Sequence, residues 1–261
     1  VGLHGDMRSV LPQLAMTMNI ASWREHCVAM KHDFPWRYDH PGEHIYAPLL
    51  LKQLSDTLPE NSVVCCDVGQ HQMWTTLYGT FNGPRTFLTS GGLGAMGYGM
   101  GASIGASVGG AGLVPKADND SFSARRTLLI TSDGSFHMNM NELATAVTYN
   151  LPIKVLVLNN NVLGMVRQWQ TLFFNKRYSQ TTLDRKTDYV KLAESFGAHG
   201  ARATTREELD SAVRLAFETP GPFVIDCVID RDECVLPMIP PGRGIDDIIL
   251  RGVGSDTSKD K

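Results

Sequence analysis

Two short strings carry the strongest chemical signal in this chain: Ser132-Asp133-Gly134-Ser135 and Asn159-Asn160-Asn161. Asp133 and Asn160 stand 160 − 133 = 27 positions apart, each at the end of an apolar run. A carboxylate and an amide carbonyl form an oxygen-only pair. That suits a hard cation such as Mg2+, which keeps part of its shell for water and phosphate oxygens. Gly134 and Ser135 stand at a helix start, where unpaired N–H groups and the helix dipole favour a diphosphate. The rival reading is structural, with Asp133 a helix cap and the asparagines a turn. Strand context and spacing together outweigh it.

Around these strings, short apolar runs alternate with helical patterns. The strand-like runs are 63–66, 86–89, 127–131, 153–158, 199–203 and 223–229; helical patterns fall at 46–58, 96–108, 139–149, 189–196 and 207–217. Fully apolar short strands between helices indicate a parallel sheet covered on both faces, so the expected class is α/β with six parallel strands. Every polar or Gly-rich motif follows a strand's C-terminal end, where open α/β sheets bind ligands. Four loops are expected to converge there: 67–72, 90–97, 132–137 and 159–165. Residues 1–20 offer a strand at 1–3 and a helix with Val10, Leu11 and Leu14, and read as the last piece of a preceding domain. Residues 21–44, rich in Pro and aromatic residues, read as a linker, 45–250 as the main domain, and 251–261 as a disordered tail.

Composition excludes two broad classes. A net charge of −3 supplies no basic excess for nucleic acid. No apolar run approaches the roughly 18 residues that span a bilayer. The five cysteines (Cys27, Cys65, Cys66, Cys227, Cys234) form no C-x-x-C pair, which suits a reducing compartment, with Cys65, Cys66 and Cys227 at apolar strand positions.

Other motifs carry rival readings. Gly92-x-Gly94-x-x-Gly97 is formally a dinucleotide fingerprint, but the next strand ends at Asp133 followed by Gly-Ser, which suits a metal-diphosphate site better. His71 reads as either functional or a satisfied polar residue at a helix start, and His137 as a surface residue. Met165, Trp169 and Phe173 lie at near-helical spacing and fit a packed face equally well. Glu142 reads as a helix-start residue rather than a catalyst.

The metal and diphosphate pattern resembles the thiamin diphosphate (ThDP) signature, in which G-D-G is followed, one helix and one strand later, by N-N. The resemblance extends to Gly69-Gln70-His71-Gln72-Met73-Trp74, Gly92-Leu93-Gly94-Ala95-Met96-Gly97, Asn141-Glu142-Leu143-Ala144-Thr145-Ala146, Gly164-Met165-Val166-Arg167-Gln168-Trp169 and Leu236-Pro237-Met238-Ile239-Pro240. Together these are similar to the catalytic subunit of the acetolactate synthase (acetohydroxyacid synthase) family over 45–250. The resemblance implies the ThDP-binding fold of a PP domain. It assigns Mg2+ to Asp133, Asn160 and the Val162 carbonyl, and the diphosphate and its surroundings to Gly69, Gln70, His71, Gly134, Ser135, Gly164 and Met165. Met96 would sit beneath the bent cofactor, the Gly94 carbonyl would accept from its amine, and Met165 and Trp169 would line the substrate channel. Ser132 departs from the usual Gly and puts the tightness of that turn in question. Met100-Gly101 stands where Leu-Pro is common, and the loop at 109–126 is longer than usual.

The implied activity is a transferase reaction in isoleucine and valine biosynthesis. Two pyruvates, or pyruvate and 2-ketobutyrate, condense to 2-acetolactate or 2-aceto-2-hydroxybutyrate with loss of CO2. The family's activating glutamate lies on a pyrimidine-binding domain that no motif here matches, so the chain reads as a C-terminal portion inactive alone. FAD is expected in the full-length protein. The resemblance also implies a homodimer or tetramer with the site at a subunit interface, and a small regulatory subunit. It places a bacterial protein in the cytoplasm and a eukaryotic one in plastid or mitochondrion. The alternatives are another ThDP-dependent carboligase or decarboxylase, or a non-catalytic ThDP-fold partner.

Overall fold

The computed structural model describes residues 2, 4–35, 44–59, 62–110 and 126–250. The strand expected at 1–3, most of the 109–126 loop and the 251–261 tail lie outside them. The chain forms two compact units, 1–39 and 40–261.

The first unit holds α1 (Met7–Leu14) and α2 (Ala21–Asp33), neither with a buried residue. Asp6 caps α1 by accepting the Arg8 N–H at 2.8 Å. Residues 21–33, read from sequence as part of a linker, are helical. Ala21, Glu25, Ala29, Met30 and Lys31 are good helix formers, and the Asn19 side chain accepts the Ala21 N–H at 3.3 Å.

The second unit is built on six parallel strands: β1 (Val63–Cys66), β2 (Phe87–Thr89), β3 (Thr127–Ser132), β4 (Ile153–Asn159), β5 (His199–Ala203) and β6 (Phe223–Val228). Their order is β2-β1-β3-β4-β6-β5. The chain leaves β1 for one edge and returns past it to β3, so a crevice opens at the C-terminal ends of β1 and β3. The central pair is in register from Thr127 opposite Ile153 to Ser132 opposite Leu158.

Among the described residues eight α-helices stand in this unit before β6: α3 (Ala47–Thr57), α4 (Gln70–Tyr78), α5 (Tyr98–Gly110), α6 (Asp133–Asn139), α7 (Leu143–Thr148), α8 (Gly164–Phe173), α9 (Tyr189–Phe196) and α10 (Arg206–Glu218). One face of the sheet buries Val63, Cys65, Leu129, Val155 and Val224 against Met100, Phe136, Leu143, Tyr189 and Ala193. Alternate positions face the other way. There Cys66 Sγ lies 3.7 Å from the Thr75 hydroxyl of α4, and Lys154 Nζ donates at 2.7 Å to the Thr219 and Gly221 carbonyls after α10. Both faces are therefore covered, as the apolar strands require. Each fully buried Leu, Ile or Phe contributes about 1.5–3 kcal/mol.

Two boundaries differ from the sequence reading. The helix expected to start at Met96 begins at Tyr98, because Gly97 sits at φ +96 and cannot be helical. The helix expected at 139–149 is a 3-10 turn at Met140–Glu142 followed by α7, with α6 ending just before it at Asn139. The break falls at Asn139, whose side-chain amide donates to the Gly97 carbonyl at 2.7 Å and whose φ of −143° leaves the helix.

Candidate functional site

Three of the four expected loops end in helix starts on one cleft. β1 runs into α4 through Gly69, β3 runs straight into α6, and β4 runs into α8 through residues 160–163. The cleft holds about 240 Å³ and is walled mainly by apolar groups. Of the expected residues, Gly69, Gln70, His71, Met96, Asn160, Val162, Gly164 and Met165 line it. Ser132 reaches the wall, and Asp133, Gly134 and Ser135 lie buried immediately beyond it. Gly94 and Trp169 are not among the lining residues, and Trp169 is 43% exposed on the outer part of α8.

Asp133 is 1% exposed, yet its Oδ1 has no hydrogen-bond partner. Burial pushes its carboxyl up to about 6, against the Gly134 N–H and the Arg185 guanidinium. Its backbone carbonyl is well supplied instead. His137 Nδ1 approaches it at 3.0 Å, the Tyr189 hydroxyl at 3.3 Å and Arg185 Nη1 at 3.4 Å. Burial lowers the His137 pKa, so the ring is neutral, donates from Nδ1 and accepts from the Thr187 hydroxyl at Nε2, 3.2 Å away. His137, expected on the surface, is thus half-buried behind Asp133.

Ser132 resolves the doubt raised by its departure from Gly. Its backbone is extended, at φ −123° and ψ 168°, so no glycine is required, and its hydroxyl caps α6 by accepting the Ser135 N–H at 3.3 Å. The Ser135 hydroxyl donates to the Val68 carbonyl at 2.7 Å, tying the ends of β1 and β3 together.

Asn160 is 7% exposed. Its Oδ1 accepts the Val162 N–H at 3.2 Å and its Nδ2 donates to Gln70 Oε1 at 3.4 Å. Asn161 takes the left-handed conformation at φ +56°, which turns the chain from β4 towards α8. A Cβ at Gly164 would stand 1.9 Å from Gln70 Oε1, so any larger residue there would have to displace the Gln70 amide. His71 is buried with Nε2 unpartnered, and desolvation drops its pKa to about 3.

The Gly-rich loop is held by a residue that the sequence reading gave no role. Asp67 Oδ1 accepts the N–H groups of Val68 at 2.9 Å and Gly97 at 2.8 Å. This brings Met96 over Gly134: a Cβ on Gly134 would lie 3.2 Å from both Met96 Cε and Leu163 Cδ2. An acidic residue at a strand end, thirty positions before the last glycine of Gly94-x-x-Gly97, is the only sequence signal for it. Glu142 accepts from the Thr145 hydroxyl at 3.1 Å, as a helix-start residue does.

A family model described as "Thiamine pyrophosphate enzyme, C-terminal TPP binding domain" matches residues 67–227. The chain belongs to this family. Within the matched span fall Asp133, Asn160, Val162, Asp67, Gln70 and the starts of α4, α6 and α8. The segment 232–238 that packs on α8 lies past its end. Relatives include "Acetolactate synthase isozyme 2 large subunit" of Escherichia coli K12, 45% identical over 93% of this chain and 42% of that protein. A second is "Acetolactate synthase catalytic subunit, mitochondrial" of Saccharomyces cerevisiae, 38% identical over 88% of this chain and 32% of that one. A third is "Acetolactate synthase 2, chloroplastic" of Nicotiana tabacum, 36% identical over 92% and 35%. The chain therefore spans well under half the length of these relatives.

Among solved structures, the ThDP-dependent 4-hydroxybenzoylformate decarboxylase of Rhodococcus jostii RHA1 superposes with a TM-score of 0.64, at 19% identity over 76% of this chain and 35% of that one. That likeness concerns the fold of thiamine pyrophosphate enzymes alone. Among the described residues no helix is long and apolar enough to cross a membrane, and no cluster of three His, Cys, Asp or Glu side chains could hold a metal.

Proposed function

We propose that this chain is the cofactor-diphosphate and Mg2+-binding part of an acetolactate synthase. The observation that carries the cofactor reading is the unpartnered Oδ1 of buried Asp133, at the end of β3 beside Asn160 at the end of β4. A buried carboxylate oxygen without a partner is costly, and a divalent cation removes the cost. Asp133, Asn160 and the Val162 carbonyl would hold Mg2+. This donor set explains why no three-carboxylate cluster is needed. The starts of α4, α6 and α8, with Gly69, Gln70, His71, Gly134, Ser135, Gly164 and Met165, would take the diphosphate on free N–H groups. The Met96 and Leu163 side chains pack over Gly134 and would have to swing aside for an anion to reach it.

When bound, ThDP supplies the nucleophilic carbon and the electron sink for loss of CO2. The chain's own contribution is to position it. Asp67 holds the 94–97 turn through the Gly97 N–H, and on this reading that turn would carry the Gly94 carbonyl and the Met96 side chain for the roles that the resemblance assigns them. Neutral His71 adds no charge beside the diphosphate. Met165 in the cleft wall and Trp169 on the next turn of α8 would meet the 2-ketoacid substrates.

The acetolactate assignment is supported by 45% identity across 93% of the chain to the Escherichia coli large subunit. On that reading FAD, a regulatory subunit and a subunit-interface site belong to the assembled protein. The test has two arms. Asp133→Ala should abolish Mg2+-dependent ThDP binding measured by calorimetry, and unchanged affinity would refute the metal assignment. The full-length protein supplied with pyruvate should release CO2 and form acetolactate. Decarboxylation to acetaldehyde alone would point to a different ThDP enzyme.

A further inference from the structure

Three buried side-chain amides run in series from the segment after β6 to Asn160. Gln168 on α8, 2% exposed, pairs with the Val235 backbone on both sides of its amide. Its Oε1 accepts the Val235 N–H at 2.7 Å and its Nε2 donates to the Val235 carbonyl at 3.0 Å. The same Oε1 accepts from Gln70 Nε2 at 3.0 Å, and Gln70 Nε2 donates again to the Glu233 carbonyl at 2.9 Å. Gln70 Oε1 then accepts from Asn160 Nδ2 at 3.4 Å, while Asn160 Oδ1, on the opposite side, accepts the Val162 N–H at 3.2 Å.

Each amide could turn over by half a rotation, exchanging its oxygen for its NH2, and a cation distinguishes the two states sharply. Backbone groups cannot turn over. The Val235 N–H and carbonyl dictate which end of Gln168 is oxygen. Gln168 Oε1 and the Glu233 carbonyl demand the NH2 end of Gln70, and Gln70 Oε1 demands the NH2 end of Asn160. Reversing any one member sets oxygen against oxygen or NH2 against NH2 in a buried site and leaves each of those groups unsatisfied.

We propose that the Val235 backbone, acting through Gln168 and Gln70 and together with the Val162 N–H, fixes the orientation of the Asn160 amide so that its oxygen, not its NH2, faces the cation. Gln168 is thus a positioning residue that touches neither cofactor nor metal. The inference rests on reading Asn160 as a Mg2+ ligand.

The test measures the Mg2+ dissociation constant in the presence of ThDP by calorimetry, with Mn2+ and electron paramagnetic resonance as a second probe. Removing an outer partner of a metal ligand typically costs 10–100-fold in metal affinity. Gln70→Met should weaken Mg2+ binding about tenfold or more, and Gln168→Met several-fold. Asn160→Asp presents oxygen at both ends and needs no orientation. It should therefore restore Mg2+ binding in the Gln70→Met protein, yet weaken it in the wild type, where a carboxylate oxygen would oppose Gln70 Oε1. That reversal of sign is the decisive result, since purely structural damage has no reason to show it. Equal effects of Asn160→Asp in both backgrounds would overturn the relay. Gln168→Glu keeps the acceptor for Val235 and Gln70, so it should lower thermal stability while holding Mg2+ affinity closer to wild type than Gln168→Met does. An affinity loss as large as that of Gln168→Met would also overturn it. If wild-type protein binds no Mg2+ with ThDP, the fault lies in the proposed function instead.

Discussion

Asp67 Oδ1 accepts the Gly97 N–H at 2.8 Å, joining the end of β1 to a loop thirty positions later. The same oxygen takes the Val68 N–H, and Oδ2 lies 3.4 Å from the Thr131 hydroxyl. Asp67→Ala strands a buried N–H and opens the turn beneath Met96, so it should cost about 2–4 kcal/mol in denaturant unfolding. Asp67→Asn keeps an acceptor and should cost less. ThDP affinity should fall in the same order. A stable Asp67→Ala protein with wild-type affinity would show that the turn does not depend on this bond.

At Gly164 the constraint is steric. A methyl group there would stand 1.9 Å from Gln70 Oε1, and Gln70 is held at its other end by Gln168 and Glu233. Gly164→Ala should therefore destabilise the fold by about 1–3 kcal/mol through overpacking. It should also raise the ThDP dissociation constant, because displacement of Gln70 disturbs Asn160. An unaltered melting temperature would mean that Gln70 has room to yield.

Ser132 offers a control close to the site. Its extended backbone makes glycine unnecessary, and its hydroxyl caps α6. Ser132→Gly should change stability by only a few tenths of a kcal/mol, and Ser132→Ala should cost about 1 kcal/mol. Neither substitution should abolish cofactor binding. A large penalty for glycine would indicate that the strand-to-helix junction relies on more than the cap.

His71 predicts part of the acid limb of stability. Desolvation lowers its folded pKa to about 3 from an ordinary value of 6.5, so the unfolded chain binds the proton more readily. The stability due to the neutral ring is complete above about 6.5 and declines as pH falls towards 3, by up to about 1.4 kcal/mol per pH unit. Asp133 acts in the opposite sense. Burial raises its carboxyl to about 6, so protonation between 6 and 4 favours the cofactor-free fold and partly offsets the loss. His71→Leu should flatten the fall between pH 6.5 and 4.5 in thermal unfolding. An acid limb of unchanged slope would show that the ring does not stay neutral.

Much of this was legible in the sequence because strands and motifs are local. The runs Val63–Cys66, Thr127–Ser132 and Ile153–Asn159 are apolar throughout because the sheet is covered on both faces, and each ends in a polar string that meets the cleft. Asp67 was passed over because its partner Gly97 is distant in sequence and its role appears only when β1 lies beside β3. Gln168 was passed over because a glutamine on an amphipathic helix carries no sign that both ends of its amide are spoken for. The start of α5 was misplaced by two residues because the left-handed Gly97 is set by Asp67 and Asn139, not by helix propensity.

The strands all point one way, which gives the second unit a working rim and an idle one. Turns at the N-terminal rim, such as exposed Asn82–Arg85 before β2, lie at the opposite strand ends from Asp133 and Asn160. Fluorophores, affinity tags or short inserted peptides grafted at 82–85 are thus the natural handles for observing cofactor loading without obstructing it. The same graft between Ser132 and Asp133 would sever the junction where strand becomes binding helix.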